Sequence, residues 1–309
     1  MGRYVARRLL QMIPVFVGAT FIIFMMMYAL PGDPIAALWG ERAPDPAQMA
    51  QMKKELGLDL PIMQQYWNYL IGVFQGDFGI QIASRRPVMD VIGDALPATL
   101  RLTVLAFVFT AVVGIAMGLI AGLRAGKKTD SSILFVTLLL ISVPSFVLGY
   151  LVQTYFGVKL GWITPSVQDS ENWGELLLPA MVLAALSLAY VARLTRTSVA
   201  ENKRSDYMRT ARAKGLTQRR AVGVHLLRNS MIPVVTFLGV DLGNLMTGAI
   251  VTEGIFNVNG IGRAVFRALN TREGSTVVGI VTFMIIVYLV VSLLVDLLYA
   301  VLDPRIRYA

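Results

Sequence analysis

Ser205-Asp-Tyr-Met-Arg-Thr-Ala-Arg-Ala-Lys-Gly215-Leu-Thr-Gln-Arg-Arg-Ala-Val-Gly-Val-His225-Leu-Leu-Arg-Asn-Ser-Met-Ile-Pro233 is the most basic stretch of the chain, and long apolar runs flank it on both sides. It reads as a helix, a glycine break and a second helix, spanning about 205–228. Ser205 offers an N-cap and Asp206 an acid in the first turn, while Gly215 stands where a C′ glycine belongs. Thr217 can cap the second helix, and Pro233 opens the next apolar run. A regular hairpin of this kind, set between membrane-seeking segments, has the character of a docking element.

Composition points the same way. The chain has 309 residues, 56% hydrophobic and 15% charged, where a soluble domain carries about 25% charged residues. There is no cysteine, which excludes disulfide frameworks and thiolate sites, and one histidine, His225, which leaves no histidine metal cluster. The net charge of +9 is concentrated: ten Lys/Arg against two acids lie within residues 193–228. Such an excess marks a cytoplasmic loop of a membrane protein and argues against a nucleic-acid surface.

Six apolar runs follow in order. The first, from Leu9 to Leu30, has Arg3, Arg7 and Arg8 before it and no small-residue cleavage pattern after it. Residues 31–97 hold no spanning run; Asp45-Pro46 can start a helix ending near Gly57, and Pro61 to Phe74 is amphipathic and aromatic. The second span is Leu100–Leu123, with Gly114, Gly118 and Gly122 as a close-packing stripe. The third, Ser132–Phe156, is interrupted by Pro144, where Ser142 or Ser145 can satisfy a freed carbonyl. A short loop with Trp162 and Trp173 leads to the fourth span from Leu176 towards Thr197. The fifth runs from Met231 to Thr252. Glu253–Ser275 reads as an outer loop with turns at Asn259, Gly260 and Gly262, and Thr276–Leu302 is the sixth span.

Placing the hairpin inside puts both termini inside as well. Eighteen Lys/Arg then lie in the inner segments and four in the two short outer loops, as the positive-inside rule requires. Two decoys fail. The glycine-lysine run near Gly126 departs from a P-loop at Ala121 and Lys128, and the GIGRAV run at 260–265 follows no strand.

Two polar residues stand inside the fifth span. Asp241 lies one helical turn from Asn244, so both share a face. An acid at that depth costs about 2.5–3.5 kcal/mol on insertion scales and belongs in the bundle interior or against water. Two readings remain open: a polar lining of a translocation path, or a structural hydrogen bond to a neighbouring helix. Asp296, nearer the inner end of the last span, is expected to reach Arg305 or Arg307.

The motif RTARAKG followed by HLLRNSMIP resembles the cytoplasmic coupling loop of ABC-importer permeases, whose general form is E-A-A-x3-G-x9-I-x-L-P. Aligned on Gly215, the E-A-A falls on Arg209, Thr210 and Ala211, and the I-x-L-P on His225 to Arg228. Arg209 for Glu, His225 for Ile and Arg228 for Pro match the dipeptide/oligopeptide branch, which the runs RRLLQMIP, LPGDP, LGLDLP, LPATL and TEGIFNVNGIGRAV also resemble. The resemblance covers essentially the whole chain.

It implies an all-α integral membrane protein with six transmembrane helices, the type I ABC-importer permease fold and a cytoplasmic coupling helix. Residues 1–97 would be the first span plus a long extracytoplasmic loop, and 98–309 the permease core. The chain would be a pore subunit without catalysis or cofactor of its own, in the bacterial cytoplasmic membrane, admitting di- or oligopeptides. Its implied partners are a second homologous permease, two ATPase subunits that bind ATP and Mg, an extracytoplasmic substrate-binding protein and membrane lipid. Asp206, Arg209, Thr210, Ala211, Arg212, Ala213, Gly215 and Leu216 would touch an ATPase subunit. The competing reading is a stand-alone carrier or channel that uses Asp241.

Overall fold

The computed structural model describes residues 2–28 and 46–302, and these are almost entirely helical. The helices are α1 (Gly2–Tyr28), α2 (Pro46–Glu55), α3 (Ile62–Phe74), α4 (Val88–Leu123), α5 (Lys128–Ser142), α6 (Ser145–Lys159), α7 (Trp173–Asn202), α8 (Asp206–Ala213), α9 (218–256), α10 (Ile261–Asn270) and α11 (Gly274–Leu302). Five of them are long and apolar enough to cross a membrane, and the bent pair α5–α6 makes a sixth span if counted as one. Leu30, the Asp45 start signal, Arg305 and Arg307 lie outside the described residues.

Contacts divide the chain into two units, residues 1–99 with 259–309, and residues 100–258. In the first, aromatic side chains fasten α3 to α1. Tyr66 is buried between Phe21 and Phe24, at ring-centroid distances of 5.2 and 5.5 Å. Its hydroxyl donates to the Val17 carbonyl at 3.0 Å and pairs with the Thr20 hydroxyl. The outward face of α3 carries Trp67 and Phe74, both exposed. Gly279 on α11 is a close-approach glycine, because a Cβ there would lie 2.3 Å from the Phe78 carbonyl oxygen.

The same unit corrects two expectations. Helix α4 starts at Val88, so the stretch before Leu100 is its opening turns; Val88, Ile92 and Ala95 recur at helical spacing and are buried with Ile261, Val265 and Ile280. The loop after the fifth span contains α10, which includes Gly262 and buries Ile261, Val265 and Ala268. Its first backbone N–H is capped by the Thr99 hydroxyl at 2.8 Å. Asp296, whose expected partners Arg305 and Arg307 lie outside the described residues, pairs with Arg8 at 3.1 Å. Antiparallel α1 and α11 bring that pair together, so the start of the first span and the end of the last share one side.

In the second unit α7 is the central helix. The glycine stripe of α4 packs on it: a Cβ at Gly118 would stand 2.4 Å from the Ala192 carbonyl oxygen, and one at Gly122 2.8 Å from that of Arg196. Glycine is what lets the two backbones come this close. The break at Pro144 is sharper than a kink, since α5 and α6 diverge by 103°. Ser142 donates to the Leu138 carbonyl at 2.8 Å, satisfying one group near the break. Asn172 caps α7 by accepting from the Gly174 N–H at 2.9 Å.

Candidate coupling and translocation sites

Helix α8 is short and two-faced. Met208 and Ala211 are buried, and Met208 packs with Val199, Ala221 and Leu226, flanked by Tyr207 and Leu216. Asp206, Arg209, Thr210, Arg212, Ala213 and Gly215 are exposed. Ala211 is buried against the chain's own cluster and Leu216 is half-buried beside it. Spacing explains it: residues 208 and 211 lie three apart on one helical face.

The helix ends in a Schellman closure. Gly215 has φ +77°, its N–H donates to the Arg212 carbonyl at 2.9 Å, and the Leu216 N–H reaches back to Ala211 at 3.2 Å. The start differs from expectation. Ser205 occupies the N-cap position, but its hydroxyl donates to the Asn202 carbonyl at 2.5 Å and does not cap. The tight turn out of α7 leaves that carbonyl within its reach.

Beyond Gly215 the chain does not form a separate second helix. Thr217 is at the N-cap position without a side-chain cap bond, and residues 218–256 then form one helix, α9, with Pro233 inside it. The hairpin is therefore the direct extension of a membrane-crossing helix. His225 lies exposed on that extension, within a π-helical stretch at Ala221–Leu226. Ser198 of α7 donates to the Ser230 carbonyl at 3.0 Å, which ties the two long helices near the hairpin's root.

A cavity of about 480 Å³ opens deeper in this unit. The α5–α6 break contributes Val143, Pro144 and Ser145, α7 contributes Ser187 and Tyr190, and α9 contributes Asp241, Asn244 and Thr252. Asp241 is 3% exposed, and its Oδ1 accepts from the Ser187 hydroxyl at 2.9 Å. Its Oδ2 is buried without a hydrogen-bond partner. Asn244 is exposed on the same wall. Asp241 thus bonds a neighbouring helix and also borders this cavity, whose lining is otherwise mostly apolar. Ser187 and Tyr190 also line that wall, and no local motif singles them out of their apolar span, whereas Ser145 belongs to the Pro144 break.

Membrane-length helices, a cavity with a buried acid in its wall and a basic helical hairpin extending from two of the helices have the character of a multi-pass translocation component. The chain belongs to the family described as the binding-protein-dependent transport system inner membrane component, whose model matches residues 114–308. The N-terminal model of that system's membrane component matches residues 1–103. Among curated relatives, the dipeptide transport system permease protein DppB of Escherichia coli (strain K12) is 39% identical over 339 aligned positions, covering 100% of this chain and 99% of that protein. The glutathione transport system permease protein GsiC of Escherichia coli (strain K12) is 38% identical over 308 positions, covering both chains fully. A crystal structure of an amino acid ABC transporter with histidines shares the fold, with TM-score 0.53, 19% identity, and 68% of this chain against 93% of that one. The architecture is accordingly the all-α type I permease fold.

Proposed function

We propose that this permease admits small peptides, di- or oligopeptides, as one of two different pore subunits of an ATP-driven importer. The observation that carries this is full-length similarity to two permeases whose named cargoes are a dipeptide and glutathione, both small peptides. Two partner ATPase subunits would bind ATP and Mg, and an extracytoplasmic binding protein would deliver the peptide. The concentration of Lys/Arg in residues 193–228 supports a cytoplasmic hairpin. With it go cytoplasmic N- and C-termini. Residues 1–97 then form the first span and outer loop added to a core of 98–309.

On this reading the exposed face of α8, with Asp206, Arg209, Thr210, Arg212, Ala213 and Gly215, seats in an ATPase subunit. Ala211 and Leu216 act from the other side by holding α8 against its own chain. Closure of the ATPase pair displaces α8, and the displacement passes into α7 and α9, which carry the cavity wall. Asp241 and Asn244 line the peptide's path, where a carboxylate and an amide can meet an amine and a peptide group. Exposed apolar residues on the spans, such as Leu10, Ile13 and Leu294, face lipid. The test is peptide uptake by the reconstituted complex with ATP supplied on the hairpin side; uptake that ignores ATP contradicts the reading.

A further inference from the structure

Near the hairpin's root, α7 is fastened to its neighbours by polar bonds as well as by packing. Asp130, in the first turn of α5, has a side chain only 4% exposed. Its Oδ1 accepts from Arg196 Nε at 3.0 Å, and its Oδ2 accepts from Arg196 Nη2 at 2.7 Å and from the Gly126 N–H at 2.8 Å. A second tie lies one to two turns further on, where Lys203 Nζ donates to the Leu123 carbonyl at 2.5 Å. A planar guanidinium gripping both oxygens of a carboxylate fixes orientation as well as distance, which a lysine's point charge does not.

The position of this grip is informative. Arg196 sits on α7 just before that helix gives way to α8, and Ser187 of the same helix lines the cavity. Asp130 begins α5, and α5 ends at Leu140, Ile141 and the Pro144 break, which line the same cavity. Two helices that frame the cavity at one end are therefore locked together at the other, on the part of α7 that leads to the coupling helix. Without the grip, a pull on α8 would move α7 while α5 could slide past it.

We propose that Asp130 and Arg196 are positioning residues that make α5 move as one body with α7, so that displacement of α8 reshapes the cavity at the α5–α6 break. The proposal rests on the importer reading above. It adds that efficiency of coupling, and not only stability, resides in this pair.

The experiment measures ATP hydrolysis and peptide uptake on the same proteoliposomes, holding the full complex with its ATPases and binding protein, normalised to folded complex. Arg196→Lys keeps the charge but not the two-pronged grip, and Asp130→Asn keeps the shape but not the charge. Uptake per ATP should fall about tenfold in each, with hydrolysis changed by less than about twofold, and the double variant should be no worse than either single one. An unchanged ratio, or uptake and hydrolysis falling in parallel, would overturn the proposal and leave the pair a purely structural one. If Asp130→Asn does not assemble, Arg196→Lys alone decides between these outcomes. A wild-type complex that takes up nothing with ATP would instead sink the importer reading itself, which separates the two failures.

Discussion

Ser187 and Asp241 meet across α7 and α9 at 2.9 Å, hydroxyl to carboxylate, in the wall of the cavity that also carries the α5–α6 break. Only one of the two carboxylate oxygens is bonded; the other is buried without a hydrogen-bond partner. The contact joins the helix that leads into the coupling hairpin to the helix that returns from it. A change of registry between those helices must lengthen or break this bond.

Ser187→Ala removes the donor and leaves both oxygens unbonded, a loss of about 1–3 kcal/mol for a buried acceptor. The purified complex should melt at a lower temperature. Asp241→Asn retains an oxygen for Ser187, so it should fold well while losing the negative charge. Uptake of peptides with a free amine should then fall more than uptake of N-acylated ones. Equal effects on both classes would assign Asp241 to structure alone.

Two glycines make opposite predictions. At Gly118 an added methyl collides with the Ala192 carbonyl and the Thr195 side chain, so Gly118→Ala should destabilise the protein by at least about 1–3 kcal/mol. At Gly215 an added methyl would meet nothing of this chain within 4 Å, and only the φ of +77° restricts the position. Gly215→Asn tolerates that conformation and should leave the chain's own fold and its insertion near normal. Gly215→Pro cannot adopt it and loses the bond to Arg212. It should insert normally yet fail to transport, as judged by membrane yield beside uptake.

Met208 is 1% exposed and anchors α8 from beneath. Met208→Ala should cost about 2–5 kcal/mol locally and loosen the coupling helix from α7 and α9. Hydrogen exchange of residues 206–214 should quicken, and transport should drop with little change in the rest of the fold.

Arg209 and Arg212 are the exposed arginines of α8. Replacing both by Glu should leave stability within about 0.5 kcal/mol of its starting value, since these are exposed positions. Co-purification of the ATPase subunits should be lost. Retained co-purification would move the docking surface elsewhere.

The spans were legible because an apolar run of membrane length has no stable place in water, and the glycine stripe because its four-residue spacing puts Gly114, Gly118 and Gly122 on one face. The Gly215 turn was equally plain, since a basic helix followed by glycine has a local cause. What escaped reading depends on partners far away in sequence. Asp296 pairs with Arg8, at the opposite end of the chain. Helix α10 was hidden by Gly260 and Gly262, although Ile261, Val265 and Ala268 carry a helical period; packing on Val88 and Ile92 decides it. Ala211 turned inward because α8 needs a floor as well as an outer face. Ser187 became visible only when α9 brought Asp241 to it.

The central claim is that a partner's ATP hydrolysis, received at α8, drives peptide movement through this chain. The most direct measurement is uptake of a labelled dipeptide into proteoliposomes containing this permease, its permease and ATPase partners and the binding protein, with ATP present or absent on the ATPase side. The account predicts accumulation that requires both ATP and the binding protein and disappears with Gly215→Pro. Accumulation by this chain alone, driven by an ion gradient and abolished only by changes at Asp241, would contradict it.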